Sequence, residues 1–559
     1  MRWGVRDETT DDHLTTSLCL EMLDHCRRTS LGPSFVLLLG QKYGYRPLPA
    51  RLPAAHLEAM LEGLASLNMG EGPKLLTKWF HKDSNCVPPV YVLQPISSIL
   101  PNFLNSKKAK LQQRDQEEWF KTLGELHKYI LKGAEFLKHS NIISEKEFSV
   151  FKMSVIEREF TKGILEANDT KEDCLAFTRM LQNINGDRAP LFLDTLAEGS
   201  PDQPATDTVT QLREEKLVKA IYKRNLKSFR LVWTGQDGLT LDTHDKYIRE
   251  FVQDFYKSVI RLADRGSKKL DTSELGVLKL ELQGHLWRLK EAADWFVGRE
   301  QELEQLQSYI TGMSRHSFVL YGPPGSGKTF LVARTVQKIR SWLGCEAPIV
   351  CARVLGTSPE STTLQPLLLT VCKQICYNLD MPYDSIPQEI VSLKTYFKEL
   401  LKKASVAHPI IIFFDCLETF FVDEHRNGGA WLPSPLPVYC KVILTFQQEQ
   451  EDSARAAEEQ DFLKALTHEG ENLLPLEKLG EQAADRVVRE WLRRNGKQLT
   501  NYQFRVLLNA LSKCSVPLFC QLLYAEATKW RSYTPNEITS VPFTIEACIG
   551  QVFSRVESR

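Results

Sequence analysis

The sequence predicts an α/β fold: a parallel sheet covered by helices, joined to helical domains and to a partial N-terminal α/β domain. Three observations carry this. In the second half, short apolar runs at 318–321, 349–354, 410–415, 442–445 and 473–476 alternate with helical patterns, which is how parallel strands with crossover helices are written. The first of these runs leads into a glycine-rich turn, Gly322-Pro323-Pro324-Gly325-Ser326-Gly327-Lys328-Thr329, and then into the amphipathic start Phe330-Leu331-Val332-Ala333. A 3.6-residue apolar period dominates from Asp115 to about Glu166 and returns after Glu481, at Val487–Leu492, Tyr502–Leu511 and Leu518–Ala527.

A chain of 559 residues is too long for one core. The pattern divides it into a partial α/β domain (1–105), a helical linker region (106–290), a P-loop domain (291–480) and a helical domain (481–559). Lys+Arg and Asp+Glu balance at 70 each, so no global field draws the chain to nucleic acid or membranes. The basic runs Lys107–Lys110 and Lys223–Lys227 read as solvated faces. Thirteen cysteines lie without a Cys-x-x-Cys pair, and Cys19/Cys26 and Cys372/Cys376 sit at helical spacing on apolar faces. That suits reduced cytosol better than a disulfide framework. No apolar run approaches the ~18 residues of a membrane span, and no signal-peptide core is present. The expected setting is soluble and cytoplasmic.

In the N-terminal part a helix is expected after the cap region Thr9–Asp12, with Leu14, Leu18 and Leu23 on its apolar side. Phe35–Leu39 and Val90–Leu93 read as parallel-type strands, too few for a complete sheet, and Met1–Val5 reads as the end of a strand. Pro201–Asp207 is expected to be an exposed loop. Long helices are expected near Tyr247–Ala263 and Thr272–Ala293, and a further one starts at Thr544.

The strand, glycine turn and helix N-terminus around Gly322–Thr329 match a phosphate-binding loop. Its glycines let backbone amides close on phosphates, with the helix N-terminus adding partial positive charge. Lys328 can reach the β/γ-phosphates, and the Thr329 hydroxyl can ligate Mg²⁺. The strand His408–Asp415 ends in a carboxylate that can hold a water on Mg²⁺, so Thr329 and Asp415 form the expected metal pair. After Asp415 comes Cys416, where vigorous ATPases carry a glutamate. The next acid, Glu418, is the candidate base, so slow hydrolysis is expected. Thr445 reads equally as a γ-phosphate sensor or a strand-end residue. A GTPase is disfavoured, because the only Thr-Lys-x-Asp match, Thr170–Asp173, precedes the loop.

The order of Phe296-Val297-Gly298-Arg299-Glu300, the phosphate loop, Phe413-Phe414-Asp415-Cys416-Leu417-Glu418 and Cys514-Ser515-Val516-Pro517-Leu518 resembles the motifs of NACHT-type (STAND) NTPases. Arg2–Arg6, Cys26–Ser30, Phe35–Gly44, Val354–Ser358 and Trp431–Pro433 bring the resemblance closer still to the NACHT and WD repeat domain-containing family, over nearly the whole chain. The resemblance implies a signal-transducing switch binding ATP or ADP with Mg²⁺. Val297 and Pro517 would flank the base or sugar, Gly298 and Arg299 would shape that pocket, and Gly322, Pro323, Pro324, Gly325, Ser326, Gly327, Lys328, Thr329 and Phe330 would hold the phosphates.

It also implies protein partners and homo-oligomerisation on activation. The family's first strand, winged helix and β-propeller are not in this sequence, so a fragment or short form is expected, and Thr419 stands where a second acid is usual. Two alternatives to the switch remain: a competent ATPase using Glu418, and a scaffold with a degenerate site. A third reading rests on likeness of the N-terminal domain to TIR-like folds, some of which cleave NAD, with Glu21 as the candidate acid.

Overall fold

The computed structural model describes residues 10–184, 189–195, 200–234, 239–420, 431–447, 454–467, 471–537 and 539–557. Met1–Val5, Arg2–Arg6 and Thr9, read above as strand end, family motif and cap, lie outside the described residues. The chain divides into two compact units, Met1–Leu270 and Asp271–Arg559.

In the first unit, β1 (Phe35–Leu39) and β4 (Val90–Leu93) form as expected but do not share a sheet. β4 lies between β2 (Arg51–Pro53) and β3 (Phe80–Asp83), and both pairings are antiparallel. β1 pairs in parallel with β5 (Cys174–Gln182), which pairs in parallel with β6 (Leu226–Val232). The helical linker region expected over 106–290 is thus corrected: its two strands complete the sheet begun by β1. A run such as Cys174–Phe177, buried on both faces, has no period that separates strand from helix. β6 is hidden at its start by the basic run that reads as a solvated face.

Two smaller corrections follow from local chemistry. Gln203–Gln211 is a helix, not the end of a loop: the Asp202 side chain caps the Ala205 amide at 3.1 Å, and Pro204 occupies the first turn, where no donor is lost. At the helix Thr15–Thr29, Leu14 is the uncapped N-terminal flank and 39% exposed, Leu18 is 43% exposed, and of the three leucines only Leu23 is buried. The expected helices from Asp115 onward form as Ala109–His139, Glu145–Val150 and Val155–Phe160. Trp119, Leu126 and Ile130 of the first pack with Leu57 and Met60 of the helix Ala54–Ser66.

The second unit is built on five parallel strands: β7 (Phe318–Gly322), β8 (Ile349–Val354), β9 (Ile410–Asp415), β10 (Cys440–Gln447) and β11 (Leu473–Pro475), in the spatial order β11-β7-β10-β9-β8. Every residue of β9 is buried, as a strand covered on both faces requires. Leu367, Val371, Leu393 and Phe397 cover one face, and Leu289, Leu306, Leu331 and Ile339 the other. The helices Glu481–Arg494, Asn501–Lys513 and Pro517–Ala527 form a separate core through Val487, Trp491, Leu507 and Leu523. The last helix, Ile545–Glu557, is capped by the Thr544 hydroxyl, which accepts from the Ala547 amide at 3.2 Å. Among the described residues no helix is long and apolar enough to cross a membrane.

Candidate nucleotide site

β7 delivers the chain into the turn 322–327, and the helix Lys328–Leu343 leaves it. Gly325 and Gly327 have φ of +76° and +95°, values that a side chain strains, so the turn needs glycine at both. A Cβ at Gly325 would also lie 2.7 Å from Leu518 Cβ. Gly325→Ala is therefore expected to destabilise the unit by about 1–3 kcal/mol, whereas Gly284→Ala, in a helix with open space around it, should stabilise by about 0.5–1 kcal/mol. Urea denaturation of the two variants checks this, and equal effects would contradict it.

Lys328 is only 9% exposed, and its ammonium donates to the carbonyls of Gly322 (2.8 Å) and Pro323 (3.0 Å). Burial pulls its pKa down, against the Glu418 and Asp415 carboxylates. The Ser326 hydroxyl is buried and has no hydrogen-bond partner. A cation held only by loop carbonyls beside an orphaned hydroxyl suits a phosphate.

Across the sheet, Asp415 ends β9 with its carboxylate fixed from two sides. Thr329 Oγ1 donates to Oδ2 and Thr445 Oγ1 to Oδ1, each at 2.7 Å. Burial raises the Asp415 pKa, and the two hydroxyls oppose it. Thr329 and Asp415, distant in sequence, are thus brought together as a hydroxyl–carboxylate pair of the kind that suits Mg²⁺. Cys416 follows in the left-handed region (φ +69°), its amide donating to Thr445 Oγ1 at 2.8 Å. Burial pushes its thiol pKa up, so it is no base. Glu418 takes the Gln447 amide at 2.9 Å, and burial raises its pKa.

A cavity of about 210 Å³ opens above these groups. Of the residues singled out in the sequence, Gly325, Ser326, Gly327, Lys328, Thr329, Phe330, Glu418, Val297, Arg299 and Pro517 line it. Gly298, Gly322, Pro323, Pro324, Asp415 and Thr445 are not among its lining residues. Pro323 and Pro324 are exposed, and the Thr445 hydroxyl is spent on Asp415 and the Cys416 amide.

The sequence reading missed most of the apolar wall: Trp295, Phe296, Leu479, Val487, Trp491 and Leu518, with Cys416, Gln447 and Gln521. Trp295 and Trp491 rings meet edge-on at 5.5 Å, and Trp491 Nε1 donates to the Trp295 carbonyl at 2.8 Å. The available signal was Trp295 immediately before Phe296–Glu300. Arg299, at φ +61°, bonds Glu302 at 2.6 Å and the Ser326 carbonyl at 3.2 Å, and also the Glu477 carbonyl, tying the loop to the exit of β11.

Residues 296–476 match the AAA ATPase domain. NACHT and WD repeat domain-containing protein 2 of Homo sapiens is 27% identical over 576 residues, covering 100% of this chain. Over its length the chain is similar to NACHT and WD repeat domain-containing proteins. NACHT domain- and WD repeat-containing protein 1 of Homo sapiens is 27% identical over 573 residues, covering 100% of this chain, and its Mus musculus counterpart 28% over 566 residues, covering 98%. These matches span 32%, 35% and 34% of the respective relatives, so the chain spans about a third of their length. Among solved structures, the Aeropyrum pernix ORC1 protein in complex with DNA overlaps at a TM-score of 0.32 and 14% identity, over 48% of this chain and 69% of that one. The DNA belongs to that protein. The second unit of this chain thus has an α/β P-loop fold whose residues 296–476 match the AAA ATPase domain.

Proposed function

We propose that the chain is a nucleotide-gated switch, binding ATP or ADP with Mg²⁺ and hydrolysing ATP slowly. One observation carries this reading. The cavity has one wall from the helix start and turn that follow β7 and β9 (Lys328, Thr329, Glu418) and another from the C-terminal helices (Trp491, Pro517, Leu518). A ligand between them bears on their relative placement, and Leu518 N already donates to the Gly325 carbonyl at 3.2 Å. Lys328 and the loop amides would hold the phosphates, Thr329 and Asp415 the metal, and Trp295, Val297 and Pro517 the base or sugar. Bound Mg²⁺ would supply charge neutralisation on the phosphates. Switching needs only about 1–3 kcal/mol of difference between the two nucleotides. Hydrogen exchange over Pro517–Ala527 tests the gating: protection should differ between Mg·ATP and ADP, and identical profiles would contradict it.

Glu418 supports the competing reading of a competent ATPase, since it lines the cavity with a raised pKa suited to a base. Its tie to the Gln447 amide, and Cys416 in the place of a glutamate, favour slow turnover. In single-turnover assays, wild type should cleave bound ATP slowly and Glu418→Gln should bind it without cleavage. Rapid multiple turnover without a partner would overturn the switch reading. A signalling role, protein partners, oligomerisation on activation and a cytoplasmic setting belong to the same proposal, supported by the kinship and by thirteen cysteines that form no disulfide.

A further inference from the structure

We propose that the first unit carries a second small-molecule site, for a planar aromatic anion, at the carboxyl end of β1 beside β5. A cavity of about 240 Å³ lies there, between the face of the sheet and the helix Leu241–Lys269. Its cation is Arg179 on β5, on the same strand face as Phe177 two positions earlier. Its walls are Phe177, Phe229, Tyr247 and Phe251. Phe229 meets Tyr247 edge-on at 5.2 Å, and Phe177 meets Phe251 edge-on at 5.5 Å.

Arg179 lacks what a structural arginine has. Its Nε is buried with no hydrogen-bond partner, and among the described residues no carboxylate pairs with it. The guanidinium carbon lies 5.4 Å from the centroid of the Phe192 ring, a contact that engages the face of the group and leaves the N–H donors unspent. An unpaired buried donor costs free energy that a ligand's oxygen recovers. Ordered water would satisfy the Nε but gains nothing from the aromatic wall, whereas an aromatic anion satisfies both. Among the described residues no carboxylate lines the cavity, and the proposal is of binding, not of acid–base chemistry. Glu21, read from sequence as a candidate acid, is exposed on Thr15–Thr29 and does not line it.

Fluorescence titration of the full chain with 1-anilinonaphthalene-8-sulfonate, alongside neutral N-phenyl-1-naphthylamine, tests the proposal. In Arg179→Met the sulfonate should bind at least about tenfold more weakly while the neutral dye is unchanged, and Arg179→Lys should retain part of the sulfonate affinity. A dye site at the phosphate loop is untouched by these changes, so the difference isolates Arg179. Unchanged sulfonate affinity in Arg179→Met, or equal loss of both dyes, would overturn it.

Discussion

Lys328→Ala is expected to weaken Mg·ATP binding about 100-fold or more, with the unit still folded. The ammonium is buried at the mouth of the loop, and its hydrogen bonds in this structure run to the Gly322 and Pro323 carbonyls, not to a carboxylate. It is therefore held in place by the loop and is free to exchange carbonyls for phosphate oxygens. Alanine removes that charge from a site where burial has excluded much of the water that would screen it. The fold should tolerate the loss, because Pro323 is exposed and water can reach its released carbonyl, leaving the buried Gly322 carbonyl as the one cost. Isothermal titration with Mg·ATP, paired with a thermal melt, separates the two effects. Undiminished affinity would remove Lys328 from the site.

Glu281→Ala is expected to cost about 3–5 kcal/mol of stability in the second unit. Glu281 Oε1 lies 3.4 Å from Arg353 Nε, and the two side chains are 3% and 0% exposed. Arg353 also donates to Gln374 Oε1 at 3.0 Å, while His285 Nδ1 takes the Val354 amide at 3.2 Å. The network joins the helix Glu274–Asp294 to β8, but leaves Arg353 Nε and Nη2 and Glu281 Oε2 without hydrogen bonds. Removing the carboxylate strands a guanidinium that has no route to water. Replacing both partners by apolar residues, as Glu281→Leu with Arg353→Met, should recover most of the loss, because it removes both desolvated charges. Urea denaturation of the single and double variants decides this, and additive losses would contradict it.

The second unit was legible because its signals are local. Phe318–Gly322, Ile349–Val354 and Ile410–Asp415 are apolar runs bounded by turn chemistry, and the glycine loop fixes which strand carries the phosphate end. Thr329 and Asp415 could be paired before their 2.7 Å contact was known, since both stand where such a strand–loop pair places them. The apolar wall was not legible. Trp491 sits on one helix and Leu479 before it, and nothing in their spacing says that a helical core folds back over Gly325. The first unit was misread for a related reason. β1 finds its partner β5 across the long helix Ala109–His139, and pairing at that distance leaves no periodic mark. Arg179, within β5, drew no reading from the sequence, because only the strand pairing sets it beside Phe229.

Equilibrium dialysis of the purified wild-type chain against Mg·ATP is the most direct test of the nucleotide site. The account predicts one nucleotide taken up per chain, displaced by ADP and lost on removal of Mg²⁺ or substitution of Asp415. A chain that takes up no adenine nucleotide at any concentration up to the millimolar range would contradict it.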